Sequence, residues 1–465
     1  MEVLRMSDHG SLDRRGFVAG VLGAGGVLAL GASNTPALAK TDPTVCSSPT
    51  PFAPGMDTRP ITQRRTVVQL AADAAWLKQM NNGYAAMRKY GSSDPRSLVQ
   101  QGNMHNLMCS GGAKEVHQSD RFLAWHRCFL YFQERIVGSN VNYAGSGTPS
   151  PQPPDPHFRL AVWNWEGASS TPVFPSAFTS GALLDPNRAN NPSTFYSGEG
   201  NINPSLAVPA TNPFRIYGYP VGSGQGGSPV LENGPHGRIH MSTGKQPPPN
   251  HDMGNLSTAA LDPVFCAHHG NIDRVWAWWQ GKNNNVTPNS INPQTNQPYD
   301  AAWIKNTWYF TDWDGKCYTI TPASVIDYQK NLRYSYSAPP PTHAIKTLAA
   351  TLQGSMLRAQ GAAGAQAASL LLENVEVPAP GNGRFNLVAA VNGQARVIGR
   401  FAIFGHPMSG TSRQSVLATV DPAGAAALQA GATFRVVPDT GGGLLTARPG
   451  AGTPLKASAA TLLVE

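Results

Sequence analysis

The sequence predicts a mainly α-helical protein with long loops, a helix bundle over roughly the first two thirds, followed by a C-terminal antiparallel β-sandwich domain. Three observations carry this prediction. The stretch RFLAWHRCFLYFQERIVG places Phe122, Trp125, Phe129, Phe132 and Ile136 at helical spacing. With 48 glycines and 40 prolines, the chain must spend much of its length in turns and connections. After about residue 370 the pattern changes to short β-branched runs, among them RFNLVAAV, SVLATV, ATFRVVP and TLLVE, separated by Gly, Pro or Asn.

At 465 residues the chain exceeds one compact domain and predicts two or three. An apolar fraction of 41%, with ten tryptophans, supplies a sizeable core. The formal charge of +8 could suit a polyanion, but only 13% of residues are charged and no basic run reaches five. The basicity therefore reads as solvated surface, with nucleic acid not expected as a partner. Residues 1–39 read as a twin-arginine export signal, with Arg14-Arg15, an apolar run from Phe17 to about Leu30, and a small-x-small site at Ala37-Leu38-Ala39. That route carries folded proteins, suits a cofactor loaded before translocation, and predicts a periplasmic or secreted product. The run is short and rich in Gly and Ala, so stable membrane insertion is not expected. Of the five cysteines, Cys46, Cys109, Cys128, Cys266 and Cys317, at least one must stay outside an intramolecular disulfide. Cys128 and Cys266 fall on apolar helical faces and read as core residues.

Taken in order, residues 40–65 form an irregular lead-in. Arg65 to Lys89 reads as one long helix or two short ones broken near Asn81–Gly83. Asp94, with Pro95 in the first turn, is expected to cap a short helix carrying His105, and Asp120 to cap the aromatic helix that follows. Residues 139–156 are loop, and LAVWNWEG is a short buried piece with Trp163 and Trp165. From about Ser169 to Pro235 there is little periodicity, a length of loop that usually serves as a lid or a functional segment. PHGRIHM sets His236 and His240 on one helical face, and Asp262-Pro263 opens PVFCAHHGNIDRVWAWWQG. Strand-like pieces near NTWYFTDWDG and KCYTIT close a domain of residues 40–336. Residues 337–369, beginning with the stiff SAPPPTH, read as linker, and 370–465 as the β domain, which has no ligand cluster of its own.

The chemistry is carried by histidines. His105, His117 and His126 fall within 22 residues of a chain that has 12 in all. Three imidazoles with no carboxylate suit a transition metal, not Mg or Ca. His236, His240 and the doublet His268-His269 form a second set, which implies two metals. A zinc hydrolase would need a carboxylate beside its histidines, as in HExxH, and neither histidine pair has one. Two all-nitrogen sites facing each other across a helix bundle suit copper, with redox chemistry and O2.

These residues resemble a known family. MHNLMC, VHQSDRFLAWHR, ENGPHGRIH and DPVFCAHHGNIDRVW are similar to the type-3 copper proteins, most nearly the plant-type polyphenol oxidases, catechol oxidases and tyrosinases, over roughly residues 57–336. RFNLVAAV and GRFAIFGHP resemble, more weakly, the C-terminal domain of their latent forms. The resemblance implies two copper ions per chain, one on His105, His117 and His126, the other on His236, His240 and His269, with His268 beside them. It implies a Cys109–His117 thioether, the alternative being a buried free thiol. Glu232 matches an acidic residue that holds a water near the coppers and is proposed to deprotonate phenols. Leu256, where many plant enzymes carry Phe, leaves a more open entrance, which Gly237 and Met241 adjoin; Gly237 replaces an Asn frequent in efficient tyrosinases. Asp273 either orients a ligand histidine or pairs with Arg127.

The implied activity is oxidation of o-diphenols to o-quinones by O2, with some monophenol hydroxylation, latent until the C-terminal domain is displaced. Phenolic small molecules and O2 are then the partners. A hemocyanin-like oxygen-binding protein and a non-catalytic copper-binding protein are the alternatives.

Overall fold

The structure, a computed structural model, describes residues 48–109, 115–166, 173–188, 217–218, 230–244, 252–340, 346–361, 368–378, 381, 383–391, 393–405, 412–439 and 452–464. The expected export signal, and most of the irregular stretch before Pro235, lie outside these residues. Among the described residues, no helix is long and apolar enough to cross a membrane.

A helical core carries the histidines. Helix α1 (Val67–Ala72) starts at a capping box in which Thr66 and Gln69 bond each other's backbone N–H. The break expected near Asn81–Gly83 falls instead at Asp73, which ends α1 and caps α2 (Ala74–Lys89) by accepting the Trp76 N–H at 3.0 Å. The helix runs unbroken through Gly83 because that glycine makes a crossing: a Cβ there would stand 2.5 Å from Val137 Cγ1. Helix α3 (Leu98–Leu107) is capped by Ser97, whose hydroxyl accepts from Gln100 at 3.2 Å. Asp94, expected in that role, lies a turn earlier, accepting from the Arg96 backbone and pairing with its guanidinium. Helix α4 (Phe122–Gly138) has no side-chain cap. Asp120 is buried, and burial with the neighbouring Asp300 carboxylate pushes its carboxyl up to about 8. The cap position itself falls on Arg121, one residue later, whose side chain has no acceptor to offer.

Two further helices complete the core, α5 (Gly237–Thr243), entered through a π-helical turn over Glu232–His236, and α6 (Val264–Lys282). Helices α4 and α6 bury nearly every residue, so their charges must be paired. Glu134 Oε2 accepts from Arg64 Nε at 2.9 Å and from the Leu160 N–H at 3.0 Å. Asp273 takes Arg127 Nε at 2.5 Å, Arg64 Nη1 at 3.3 Å and the hydroxyls of Tyr334 and Tyr336. The short strands Thr62–Arg64 and Tyr334–Tyr336 pair in parallel, so this network fastens both ends of the core onto α4 and α6. Trp308–Thr311 and Cys317–Ile320 form the expected antiparallel pair, and Cys317 is disulfide-bonded.

The C-terminal β domain has eight principal strands: β1 (Lys346–Gln353), β2 (Met356–Ala359), β3 (Ala368–Val377), β4 (Gly383–Val391), β5 (Gln394–Ile403), β6 (Ser412–Val420), β7 (Ala432–Pro438) and β8 (Ala459–Val464). Their hydrogen-bonded order is β4-β5-β6-β3-β8-β1-β2-β7, and β7 pairs back onto β4, so one antiparallel sheet closes on itself. The expected sandwich is thus corrected to a barrel, because β4 is paired on both edges and no open edge remains there to define two sheets. Strands β1 and β2 lie inside the stretch expected to be linker, where KTLAATLQ alternates half-buried and exposed residues too weakly to announce itself. Alternate residues fill the barrel, Leu370 and Leu372, Phe385 and Leu387, Val416 and Ala418, Phe434 and Val436. On its outer face Leu371, Leu417 and Leu463 pack with Val230 of the core. Ala402 and Phe404, at the end of β5, are buried in the hydrophobic core of the helical part itself.

Candidate metal centre

Helix α3, the segment after it and helix α4 deliver the first histidine set. His105 lies in the last turn of α3, His117 in the connection and His126 one turn into α4, and ligand atoms of all three lie within 4.8 Å of one another. The second set comes from α5 and α6, where His236, His240, His268 and His269 meet the same limit. The sets face each other, with the His126 and His269 rings stacked at 4.2 Å between centroids. All seven rings are buried.

Hydrogen bonds fix which nitrogen each ring offers. His126 Nδ1 lies 2.8 Å from the Phe122 carbonyl, His236 Nδ1 3.2 Å from that of Glu232, and His240 Nδ1 2.7 Å from that of Met253. A carbonyl only accepts, so each Nδ1 carries the proton and each Nε2 keeps its lone pair. Burial first, and neighbouring imidazoles next, hold His126 and His236 well below the usual histidine range; burial also lowers His240, so these rings stay neutral. Nε2 of His117, His126 and His236 finds no hydrogen-bond partner among the described residues. Leaving such atoms bare costs about 1–3 kcal/mol each. His240 Nε2 and His269 Nε2 stand 3.2 Å apart. Metal–nitrogen bonds of about 2.0–2.1 Å at a tetrahedral angle would separate two donors by about 3.3 Å. The donor set therefore fits two cations that favour imidazole, and two copper ions suit it.

The doublet divides. Trp165 Nε1–H donates to His268 Nδ1 at 3.0 Å, which makes that nitrogen an acceptor and puts the proton of neutral His268 on Nε2. His269 alone of the pair aims a nitrogen at His240 within hydrogen-bonding distance. Asp273 takes the second of its two expected options and pairs with Arg127; no hydrogen bond joins it to a histidine among the described residues.

Cys109, buried one turn past His105, has Sγ 3.1 Å from His117 Nδ1. Burial, then Glu115 and Glu232, push its thiol well up. Both carboxylate oxygens of Glu232 accept from the Gln118 backbone N–H at 2.8 Å, and Gln118 has the left-handed φ of 54°. Leu256 and Met241 are buried in the surrounding core, and Gly237 follows His236 at the start of α5.

Three features were not read from the sequence. Phe265 lies 4.1 Å from His269 and 4.9 Å from His105, centroid to centroid, as a wall shared by both sets. Phe404, from the barrel, stacks on His240 at 3.9 Å and 5°. Gln414, also from the barrel, donates to the Gln118 side chain at 3.1 Å and accepts from Asn233 at 3.3 Å. An aromatic next to a glycine at a strand end, as in GRFAIFG, was the one local signal for Phe404.

The comparisons with known proteins agree with this geometry. The family described as the common central domain of tyrosinase matches residues 95–223 and 219–282, which span both histidine sets. Polyphenol oxidase E of Solanum lycopersicum is 31% identical over 314 residues, 58% of this chain and 48% of that protein. Catechol oxidase B of Solanum tuberosum is 30% identical over 311 residues, again 58% and 48%. The chain spans about half the length of these curated relatives. Among solved structures, the Grenache (Vitis vinifera) polyphenol oxidase is 26% identical with a TM-score of 0.51, over 64% of this chain and 90% of that one. A latent aurone synthase from natural source shares the fold at 20% identity, TM-score 0.60, over 90% of this chain and 92% of that one. Residues 95–282, which carry both histidine sets, thus match the common central domain of tyrosinase, and the chain is similar over this region to plant polyphenol oxidases.

Proposed function

We propose that the protein is a latent polyphenol oxidase that uses two coppers and O2 to oxidise o-diphenols to o-quinones. The observation that carries this reading is the pair of facing, buried imidazole sets, in which Nε2 of His117, His126 and His236 finds no hydrogen-bond partner among the described residues. Bound copper would supply the electron transfer, two diphenols and one O2 giving two quinones and two waters. In this reading His105, His117 and His126 hold one ion and His236, His240 and His269 the other. The carbonyls of Phe122, Glu232 and Met253 set ring orientation. Phe122 and Phe265 exclude water from the space between the sets. Leu256 and Met241 shape the entrance for the substrate ring.

Glu232 is the proton acceptor in this scheme, held by the Gln118 N–H so that its carboxylate can take a phenolic proton. It supports monophenol hydroxylation as a secondary activity. The Cys109 sulfur beside His117 supports a thioether that would lock that ring. Phe404 stacked on His240 supports the barrel as a cover, its ring standing where a substrate ring would enter. A disulfide at Cys317 suits a chain matured outside a reducing compartment, in keeping with twin-arginine export to the periplasm or beyond.

The test is copper content together with turnover of catechol in air. Two coppers and steady quinone formation are expected. Reversible O2 binding without turnover would instead make the protein an oxygen carrier, and bound copper with neither property a copper-binding protein.

A further inference from the structure

The turn Glu232–His236 and the start of α5 are where the barrel meets the metal centre, and they offer two positions, Asn233 and Gly237, four residues apart. Asn233 Nδ2 donates to Gln414 Oε1 at 3.3 Å and to the Ser415 carbonyl at 3.1 Å, both in β6. Gly237 has no such bond to offer, and its importance is the space it leaves. A Cβ built on it would stand 3.0 Å from the Ala402 carbonyl oxygen and 3.2 Å from the Phe404 nitrogen, both backbone atoms at the end of β5, and 3.3 Å from the Glu232 carbonyl oxygen of its own turn. Its φ of −61° and ψ of −37° are ordinary helical values open to any residue. Conformation therefore does not require glycine here, and glycine is among the poorest helix formers. What requires it is the approach of the strand that carries Phe404 to His240.

We propose that Gly237 is the steric key of the barrel's seat: only a residue without a side chain lets β5 come close enough to place Phe404 on His240, so filling position 237 unseats the cover. This rests on the reading of the barrel as a cover. It predicts that, in this chain, a side chain directly after the first histidine of the second set pushes β5 away from its seat and loosens the closed barrel. Backbone is the obstacle on the barrel side, so a side chain at 237 cannot be accommodated by a rotamer change; β5 itself must move. A methyl group demands a shift of a few tenths of an ångström and an asparagine more, so the effect should be graded.

The test uses the full chain with a protease site built into residues 341–345, as wild type, Gly237→Ala and Gly237→Asn. Two quantities are read: hydrogen exchange of the backbone over 398–405 before cutting, and the ratio of catechol oxidation per copper after cutting to that before. In wild type the exchange should be slow and the ratio high. In Gly237→Asn exchange over 398–405 should rise at least several-fold while that of β7 stays protected, and the ratio should fall towards one, with Gly237→Ala between. Exchange over 398–405 as slow in both variants as in wild type would overturn the proposal. A wild-type ratio near one would overturn the cover itself, and the exchange result would still decide whether Gly237 seats the strand. If Gly237→Asn does not fold, Gly237→Ala alone carries the same two readouts.

Discussion

At the scale of single residues, tautomer and partner separate groups that the sequence presents as equivalent. His268 and His269 are neighbours in one helix, yet Trp165 claims Nδ1 of the first while the second faces His240. His269→Ala should therefore lower copper content and abolish turnover, whereas His268→Gln should keep both coppers; equal copper loss in the two variants, measured by metal analysis, would contradict the assignment. Glu232→Gln should lower monophenol turnover at least about a hundred-fold, the lower end for losing a general base, and diphenol turnover much less. Equal losses on the two substrates would remove its role as base. In a digest, Cys109 and His117 peptides should remain linked after reduction, and Cys109 recovered in alkylated form would exclude the thioether. The two histidine sets were legible from spacing, and the choice of His269 over His268 only from the resemblance. Phe404, Gln118 and Gln414 were not, because their roles arise from contacts between residues hundreds of positions apart in the chain, as in the Gln414–Gln118 bond.

At the scale of elements, the long helices were legible and their ends were not. Asp94 and Asp120 have the composition of N-caps, but Arg96 occupies the first, and the second lies one residue ahead of the cap position at Arg121. Capping is a competition among nearby acceptors, and sequence shows the candidates without the winner. Asp120 also gives a pH dependence. Folded, it keeps its proton up to about 8; unfolded, it loses it near about 3.9. The folded chain thus binds the extra proton between these limits, so this group's contribution makes stability fall as pH rises from about 4 to about 8. Asp120→Asn should flatten that part of the profile, seen as a smaller drop in Tm between pH 5 and pH 8. The Asp273 network is the second element-scale test. Asp273→Ala would leave the buried Arg127 without a carboxylate, Arg64 keeping Glu134, and should cost about 3–5 kcal/mol in denaturant unfolding. A loss below about 1 kcal/mol would mean that Gln280 and the Val325 carbonyl satisfy the Arg127 guanidinium unaided.

At the scale of the whole molecule, the residue patterns conveyed a helical part and a β part, and only the resemblance implied that the second covers the first. Alternating apolar runs show that strands exist; which edge finds which is decided by pairings such as Phe385 with Pro438, which close the barrel. The same chain then turns part of its outer surface, Leu371, Leu417 and Leu463, onto Val230 and sends Phe404 into the core beside His240. A cover held shut by even about 1.4 kcal/mol leaves the site open about a tenth of the time. Phe404→Ala should therefore raise catechol oxidation by the uncut chain, while an unchanged rate with both coppers in place would place the barrier elsewhere. The most direct measurement of the central claim is copper content and catechol oxidation on one preparation, before and after cleavage within residues 341–345. The account predicts two coppers per chain at both stages and a rate that rises about ten-fold or more on opening. Fewer than two coppers in the intact chain, or an unchanged rate with both retained, would contradict it.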